Sequence, residues 1–403
     1  MNSARNTLVA SIMSALLVLG AAAPSAGTDR PGAVPSPDAG EQGTVRVLAA
    51  ADSTAQARDR VAAMSTSEMA ASVVMGHIPT SDAAVLADYM TRTRIGGFIL
   101  MGANIPASEA ELRQLTAALT SDDALPPLIA IDQEGGDVSR LPWDGFASAV
   151  TLKDQPTEAA RDAFAARGAL LQRAGIGVNF GVVADVTDDR SMFIYRRALG
   201  TTPASAAEHV DAAVVGESGQ TLSTLKHFPG HGAAPGDSHA GIPTSTRSKD
   251  EWIATDREPF RAGIDAGATL LMFGHLAYPA IDPAPATLSA EWHRIAREEL
   301  GFTGVAITDD LGMLQASGLD GYQDPVANAV AALAAGNDMV LAVMFSSAET
   351  APRIVEGIAV AVDTGILSRE RLEEAAQRVT AARLSLAAAG RGLVPCGDCA
   401  PAE

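Results

Sequence analysis

A carboxylate and an imidazole two positions apart, Asp237 and His239, stand in a segment too rich in glycine and proline to be helix or strand interior. Such a pair can work as an acid/base unit. The carboxylate orients the ring and supports its cationic form, and the imidazole protonates a leaving group and later activates water. Taken alone, Asp-x-His is also an ordinary turn or surface pair. The approach to it adds weight, because Lys226-His227-Phe228-Pro229-Gly230-His231-Gly232 leads directly into this loop. A second source of chemistry is Ile307-Thr308-Asp309-Asp310-Leu311-Gly312-Met313, where an apolar run ends in two adjacent aspartates. Neighbouring strand side chains point opposite ways, so one aspartate is expected in a pocket. Asp309 suits that place, and Asp310 suits a helix N-cap. The third segment is Ile131-Asp132-Gln133-Glu134-Gly135-Gly136-Asp137-Val138-Ser139-Arg140. Its glycine pair allows a tight turn at a pocket rim, or equally a turn carrying solvated charge.

These segments need a scaffold that brings them together. Short apolar runs at 72–76, 97–101, 128–132, 177–182, 221–227, 269–274, 304–309 and 338–343 alternate with amphipathic stretches such as 108–120, 157–174, 204–217 and 370–388. Eight buried strands at this spacing predict an α/β fold, a single (β/α)8 barrel. The rival is an open doubly wound sheet, which usually carries a glycine-rich phosphate loop after its first strand. The Met75-Gly76-His77-Ile78-Pro79 turn is not such a loop. In a barrel the C-terminal strand ends converge on one mouth, and four of the seven histidines (His227, His231, His239 and His275) fall at or just beyond such ends.

The chain has 403 residues, 47% hydrophobic and 19% charged, which suits one large globular domain. A net charge of −19 with only three lysines argues against a nucleic-acid partner, whose phosphates need clustered cations. Arg5, the apolar run 8–23 and small residues at 23–26 read as a signal peptide over 1–26, so that the protein is expected to be secreted or in the cell envelope. An uncleaved anchor is the alternative. No other run is long and apolar enough for a membrane span, so stable membrane insertion is not expected. Residues 27–48 have the composition of a disordered linker, 49–390 form the catalytic domain, and 391–403 are a tail whose Cys396 and Cys399 read as a local disulfide staple.

The residues above carry a family resemblance. The chain resembles family 3 glycoside hydrolases from about residue 55 to 388, in particular the single-barrel β-N-acetylglucosaminidase (β-N-acetylhexosaminidase) branch. Lys226 to Gly232 followed by Asp237-Ser238-His239 looks like that branch's signature. Asp132-Gln133-Glu134-Gly135-Gly136, Thr308-Asp309-Asp310-Leu311-Gly312-Met313 and Pro285-Ala286-Thr287-Leu288-Ser289 agree in order and spacing. The resemblance implies Asp309 as nucleophile and Asp237 with His239 as acid/base dyad. It implies that Asp132, Lys226, His227 and Arg197 hold the hydroxyls of the sugar, with His231 and His275 behind them in the same substrate-binding site. The implied reaction is retaining, exo-acting hydrolysis of terminal β-linked N-acetylglucosamine, and an exported enzyme of this branch would meet cell-wall fragments. The partner is a small carbohydrate, and no cofactor or metal is implied.

Three positions depart from the branch's pattern: Asp137 stands where it usually has Arg, Arg197-Ala198-Leu199-Gly200 replaces Arg-Ser-Phe-Gly after an unusual Met192-Phe193-Ile194-Tyr195, and Ala233-Ala234-Pro235-Gly236 replaces a polar stretch. These bear on what lies beyond the cleaved bond. Two other chemistries on the same fold stay open, a family 3 phosphorylase and a β-glucosidase. A barrel metallohydrolase using the histidines is disfavoured, because the early strand end offers only His77 rather than a close His-x-His pair.

Overall fold

A computed structural model describes residues 52–388. Eight strands close into one parallel barrel: β1 (Val74–Gly76), β2 (Gly97–Leu100), β3 (Leu128–Ile131), β4 (Val178–Val183), β5 (Leu222–Phe228), β6 (Leu270–Phe273), β7 (Val305–Asp310) and β8 (Met339–Leu341). They pair in chain order, and β8 returns to β1 through Val74↔Val340 and Met75↔Leu341. Each apolar run of the sequence therefore corresponds to one barrel strand, with its ends shifted by at most two residues. The leader, the linker and the Cys396/Cys399 tail lie outside the described residues.

Strand alternation divides the core. Val178 and Phe180, Leu270 and Met272, Val305 and Ile307, and Met339 and Leu341 fill the barrel interior. The residues between them face the helices: Ile129, Ile131 and Val340 join one outer cluster, and Leu271, Phe273 and Ala306 another. Both faces of each strand are buried, which is why the strands read as continuous apolar runs rather than alternating ones.

The crossover helices start where local chemistry satisfies their free amides. Pro203–Glu217 opens with proline in its first turn behind a Thr202–Ser205 capping box. The base of the barrel is pinned by Asp338, just before β8, which accepts from Arg371 at 2.6 Å, Arg378 at 3.0 Å and Arg297 at 2.5 Å. That cluster faces away from the mouth. Among the described residues no helix is long and apolar enough to cross a membrane.

Candidate active site

The mouth is built from strand ends and the loops that follow them. After β3 the chain turns through Gly135 and Gly136, at φ 85° and 70°, into a short antiparallel ribbon (Gln133–Gly135 with Val138–Ser139). A side chain at Gly135 would meet the guanidinium of Arg167 at 2.4 Å, so glycine is needed there on both counts. Gln133 holds this ribbon from beneath. Its Oε1 accepts from the amides of Arg140 and Leu141 at 2.9 and 3.0 Å, and its Nε2 donates to Ser139 and Asp144. Asp144 in turn forms a wholly buried ion pair with Arg167 at 2.7 Å.

On that support sits a cluster of charges. Lys226 Nζ lies 2.9 Å from Asp132 and 2.7 Å from Glu134. Arg197 grips Glu134 with two hydrogen bonds of 2.9 and 2.7 Å, and Arg140 reaches Asp132 at 3.3 Å. Burial works against the charge of Asp132, but Lys226, Arg140 and Arg197 overcome it and bring its pKa down to about 2. Glu134 is lowered in the same way, by Lys226 and Arg197 against burial. Burial likewise disfavours the Lys226 cation, and Asp132 and Glu134 outweigh it and raise that pKa. The result is a rigid set of oriented, ionised donors and acceptors suited to sugar hydroxyls.

Two residues past β4, Asp185 is fully buried and organises the next segment. It accepts from His227 Nδ1 at 2.7 Å and from the backbone amides of His227 and His231. Arg197 Nη2 approaches the other ring nitrogen of His227 at 3.3 Å. The Lys226–His227 and Phe228–Pro229 peptide bonds at this strand end are both cis.

At the end of β7 the two aspartates separate as their alternation requires. Asp310 turns inward to the protein, caps the helix Leu311–Ala316 through the Gly312 amide, and accepts from Val343 and Met344 at 2.8 Å each. Burial exceeds these bonds and lifts its pKa to about 6. Asp309 faces the cleft. Burial alone would raise its pKa, but His227, His275, the Asp310 amide and Lys226 bring it below the ordinary aspartate value, so it is ionised at neutral pH. His275 stands behind it, neutral through burial, with Nε2 donating to the Asp310 carbonyl at 2.8 Å. Thr287 lies 2.9 Å from the other nitrogen of His275 and is itself bonded to the carbonyls of Phe273 and Gly274. The Pro285–Ser289 segment thus fixes the ring that fixes the β7 end.

The loop after β5 carries the dyad. Asp237 Oδ1 accepts from His239 Nδ1 at 2.6 Å and from the His239 amide at 3.0 Å. Both side chains are about half exposed, at 50% and 57%. Partial burial opposes the Asp237 charge, yet the His239 amide and ring hold its carboxyl below the usual range. One cleft of about 110 Å³ is lined by Asp132, Arg140, Arg197, Lys226, His227, His239 and Asp309, with Val138, Phe193, Ser238 and Met272 as neighbours. A larger cavity, about 650 Å³, opens at the opposite end of the barrel beside Arg94, Asp122 and Arg383 and holds no such carboxylate–imidazole set. Among the described residues, no group of three or more His, Cys, Asp or Glu is arranged to hold a metal ion.

Residues 58–382 match the model of the glycosyl hydrolase family 3 N-terminal domain. The chain belongs to glycosyl hydrolase family 3. Among similar proteins, a beta-hexosaminidase of Nitrosomonas eutropha is 37% identical over 259 residues, covering 61% of this chain and 73% of its own. A family 3 beta-N-acetylglucosaminidase from a Paenibacillus species superposes with a TM-score of 0.76 at 31% identity over 81% of this chain, and this chain spans 64% of that one. The beta-N-acetylhexosaminidase of Beutenbergia cavernae superposes with a TM-score of 0.69 at 28% identity, over 79% of this chain and 98% of its own. The chain is thus a glycoside hydrolase with hexosaminidase relatives, acting on carbohydrate, on the (β/α)8 barrel that its strand pattern predicts.

Most residues proposed from this family 3 sequence converge on the cleft, with three qualifications. His231 and His275, expected behind the sugar-holding residues, do not themselves line the cleft. Each is 1% exposed, with His231 against Phe193 and His275 beneath the β7 end. Asp237 also stands off the lining and reaches the cleft only through His239. Asp185, Glu134 and Arg140 were not singled out, and all three hold residues that were. The departure at Asp137 also finds its partner: Arg196 meets it through two hydrogen bonds of 2.6 and 2.9 Å.

Proposed function

We propose that this chain is a retaining, exo-acting β-N-acetylglucosaminidase that hydrolyses terminal β-linked N-acetylglucosamine. The observation that carries the reading is that an ionised carboxylate, Asp309, and an imidazole oriented by a carboxylate, His239, line one cleft from two different strand ends. A retaining glycosidase needs one group to attack and another to move the leaving group's proton across the same bond. The hexosaminidase and N-acetylglucosaminidase relatives support the choice of sugar.

In this reading Asp309 attacks the anomeric carbon as the C1–O bond breaks, and the leaving oxygen takes a proton from His239. The Nδ1–H of His239 is engaged by Asp237, so Nε2 is the atom left to give that proton. Water then attacks C1, Nε2 takes its proton, and the Asp309 carboxylate is released. Asp132, Lys226, Arg197 and His227 hold the sugar hydroxyls against rotation, and their ion pairs keep them in place before substrate arrives. The leader-like segment supports an extracytoplasmic location and, with it, cell-wall glycan fragments as substrate.

The test is parallel assay of aryl β-N-acetylglucosaminide and aryl β-glucoside, with and without phosphate. Release from the first alone, independent of phosphate, is the expected result. Preference for the glucoside overturns the sugar assignment, and a phosphate requirement overturns hydrolysis.

A further inference from the structure

The loop after β4 carries the sequence's least expected stretch, and the catalytic roles above leave it unexplained. Phe193 is a half-buried aromatic ring that lines the cleft, while its neighbours are spent on holding it there. Ile194 is fully buried. Tyr195 is clamped by Lys153, whose ammonium bonds its carbonyl and sits 4.1 Å from its ring centroid. Arg196 ties the loop to Asp137, on the ribbon that also presents Val138 to the cleft. An apolar ring is thus held firmly in a site otherwise dominated by charge.

Its position relative to the dyad gives it a side. The ring of Phe193 meets His231 edge-on at 4.7 Å between centroids, and His231 opens the turn His231–Ala233 that leads into the dyad loop. The acid of a glycosidase lies against the departing oxygen. Phe193 combines that packing with a place on the cleft lining shared with His239, which puts it on the leaving-group side, whereas Asp309, Asp132 and Lys226 face the sugar that stays.

We propose that Phe193 is a specificity-determining residue for the leaving group and contacts the C–H face of the pyranose that departs. This rests on the N-acetylglucosaminidase reading. A ring seated edge-on against His231 and followed by an anchored backbone offers that face a contact surface with little ordering left to lose on binding.

The experiment compares kcat/KM for N,N′-diacetylchitobiose and β-N-acetylglucosaminyl fluoride, which share the retained sugar and differ in having a pyranose or a single atom beyond the bond. The readout is the ratio of the two values in the wild type, Phe193→Ala and Phe193→Tyr. Because kcat/KM reports only steps through bond cleavage, the slower release of the enzyme-bound sugar does not enter. The ratio is expected to fall roughly tenfold in Phe193→Ala and to recover in Phe193→Tyr, the scale of one lost aromatic contact. An unchanged ratio, whether both substrates suffer together or neither does, overturns the proposal. Phe193→Tyr also guards against misfolding, since it keeps the ring in place. A wild type that cleaves neither compound refutes the underlying activity instead, which separates the two failures.

Discussion

Glu134 is the most exacting test of the charge cluster, because it is nearly withdrawn from solvent and touches two cations, one buried and one largely so. Its side chain is 3% exposed and lies 2.7 Å from Lys226 Nζ and 2.7 and 2.9 Å from Arg197. At an effective dielectric of about 20, each such contact is worth about 6 kcal/mol in Coulomb attraction, set against a desolvation cost of several kcal/mol per ion. Glu134→Gln preserves shape and one acceptor oxygen but removes the charge. Lys226 keeps Asp132, while Arg197 loses its only carboxylate ion pair among the described residues. The unfolding free energy should fall by about 3–5 kcal/mol, the cost of stranding a buried charge. Urea unfolding at neutral pH measures it, with Glu299→Gln as control. Glu299 pairs with Lys249 and Arg294 at the surface, where each such pair contributes about 0–1 kcal/mol. If Glu134→Gln unfolds within about 1 kcal/mol of wild type, the cluster is not the desolvated electrostatic unit described here.

Other consequences follow from neighbouring groups. Asp185→Asn leaves the volume but loses the charge that orients His227, and kcat/KM on aryl β-N-acetylglucosaminide should fall tenfold or more, since a charge-assisted hydrogen bond contributes about 1.5–3 kcal/mol. Unchanged kinetics would remove Asp185 from the account. His239→Ala should slow substrates with poor leaving groups about 10²- to 10⁴-fold and nitrophenyl glycosides much less, and equal losses on both would deny it the acid role. Burial lifts the pKa of Glu217 from 4.5 to about 7, with Asn179, Ser223 and Arg167 acting the other way. The folded state then holds a proton that the unfolded chain has lost, so stability declines as pH rises from 4.5 to 7 and stays reduced above. Glu217→Gln should therefore raise the unfolding free energy at pH 8 by up to about 3 kcal/mol and change little at pH 4. Urea titrations at the two pH values check this, and an equal effect at both would contradict it.

What was legible in the sequence follows from range. The barrel strands are continuous apolar runs bounded by turn residues, a signal contained within five to seven positions. The split between Asp309 and Asp310 follows from alternation alone. Asp185 was not legible, because it sits in an unremarkable Ala184-Asp185-Val186 stretch and its partner His227 lies 42 residues away. Glu134 stands within a quoted motif but gains no role from it, since Arg197 and Lys226 become its neighbours only when β3, β4 and β5 lie side by side. The resemblance puts His231 and His275 behind the sugar-holding residues, and both rings are buried there. Their place in a histidine-rich strand-end pattern is real, but a strand end has a back as well as a mouth, and only packing decides which one a ring faces.

The central claim is that Asp309 carries the sugar during turnover. Brief reaction with a fluorinated β-N-acetylglucosaminyl fluoride, which slows release of the enzyme-bound sugar, followed by proteolysis and mass spectrometry, reads this out directly. The account predicts one added fluoro-sugar per chain, on the peptide containing Asp309, and none in Asp309→Ala. A label on another residue, or an active enzyme that never accumulates one, would contradict it.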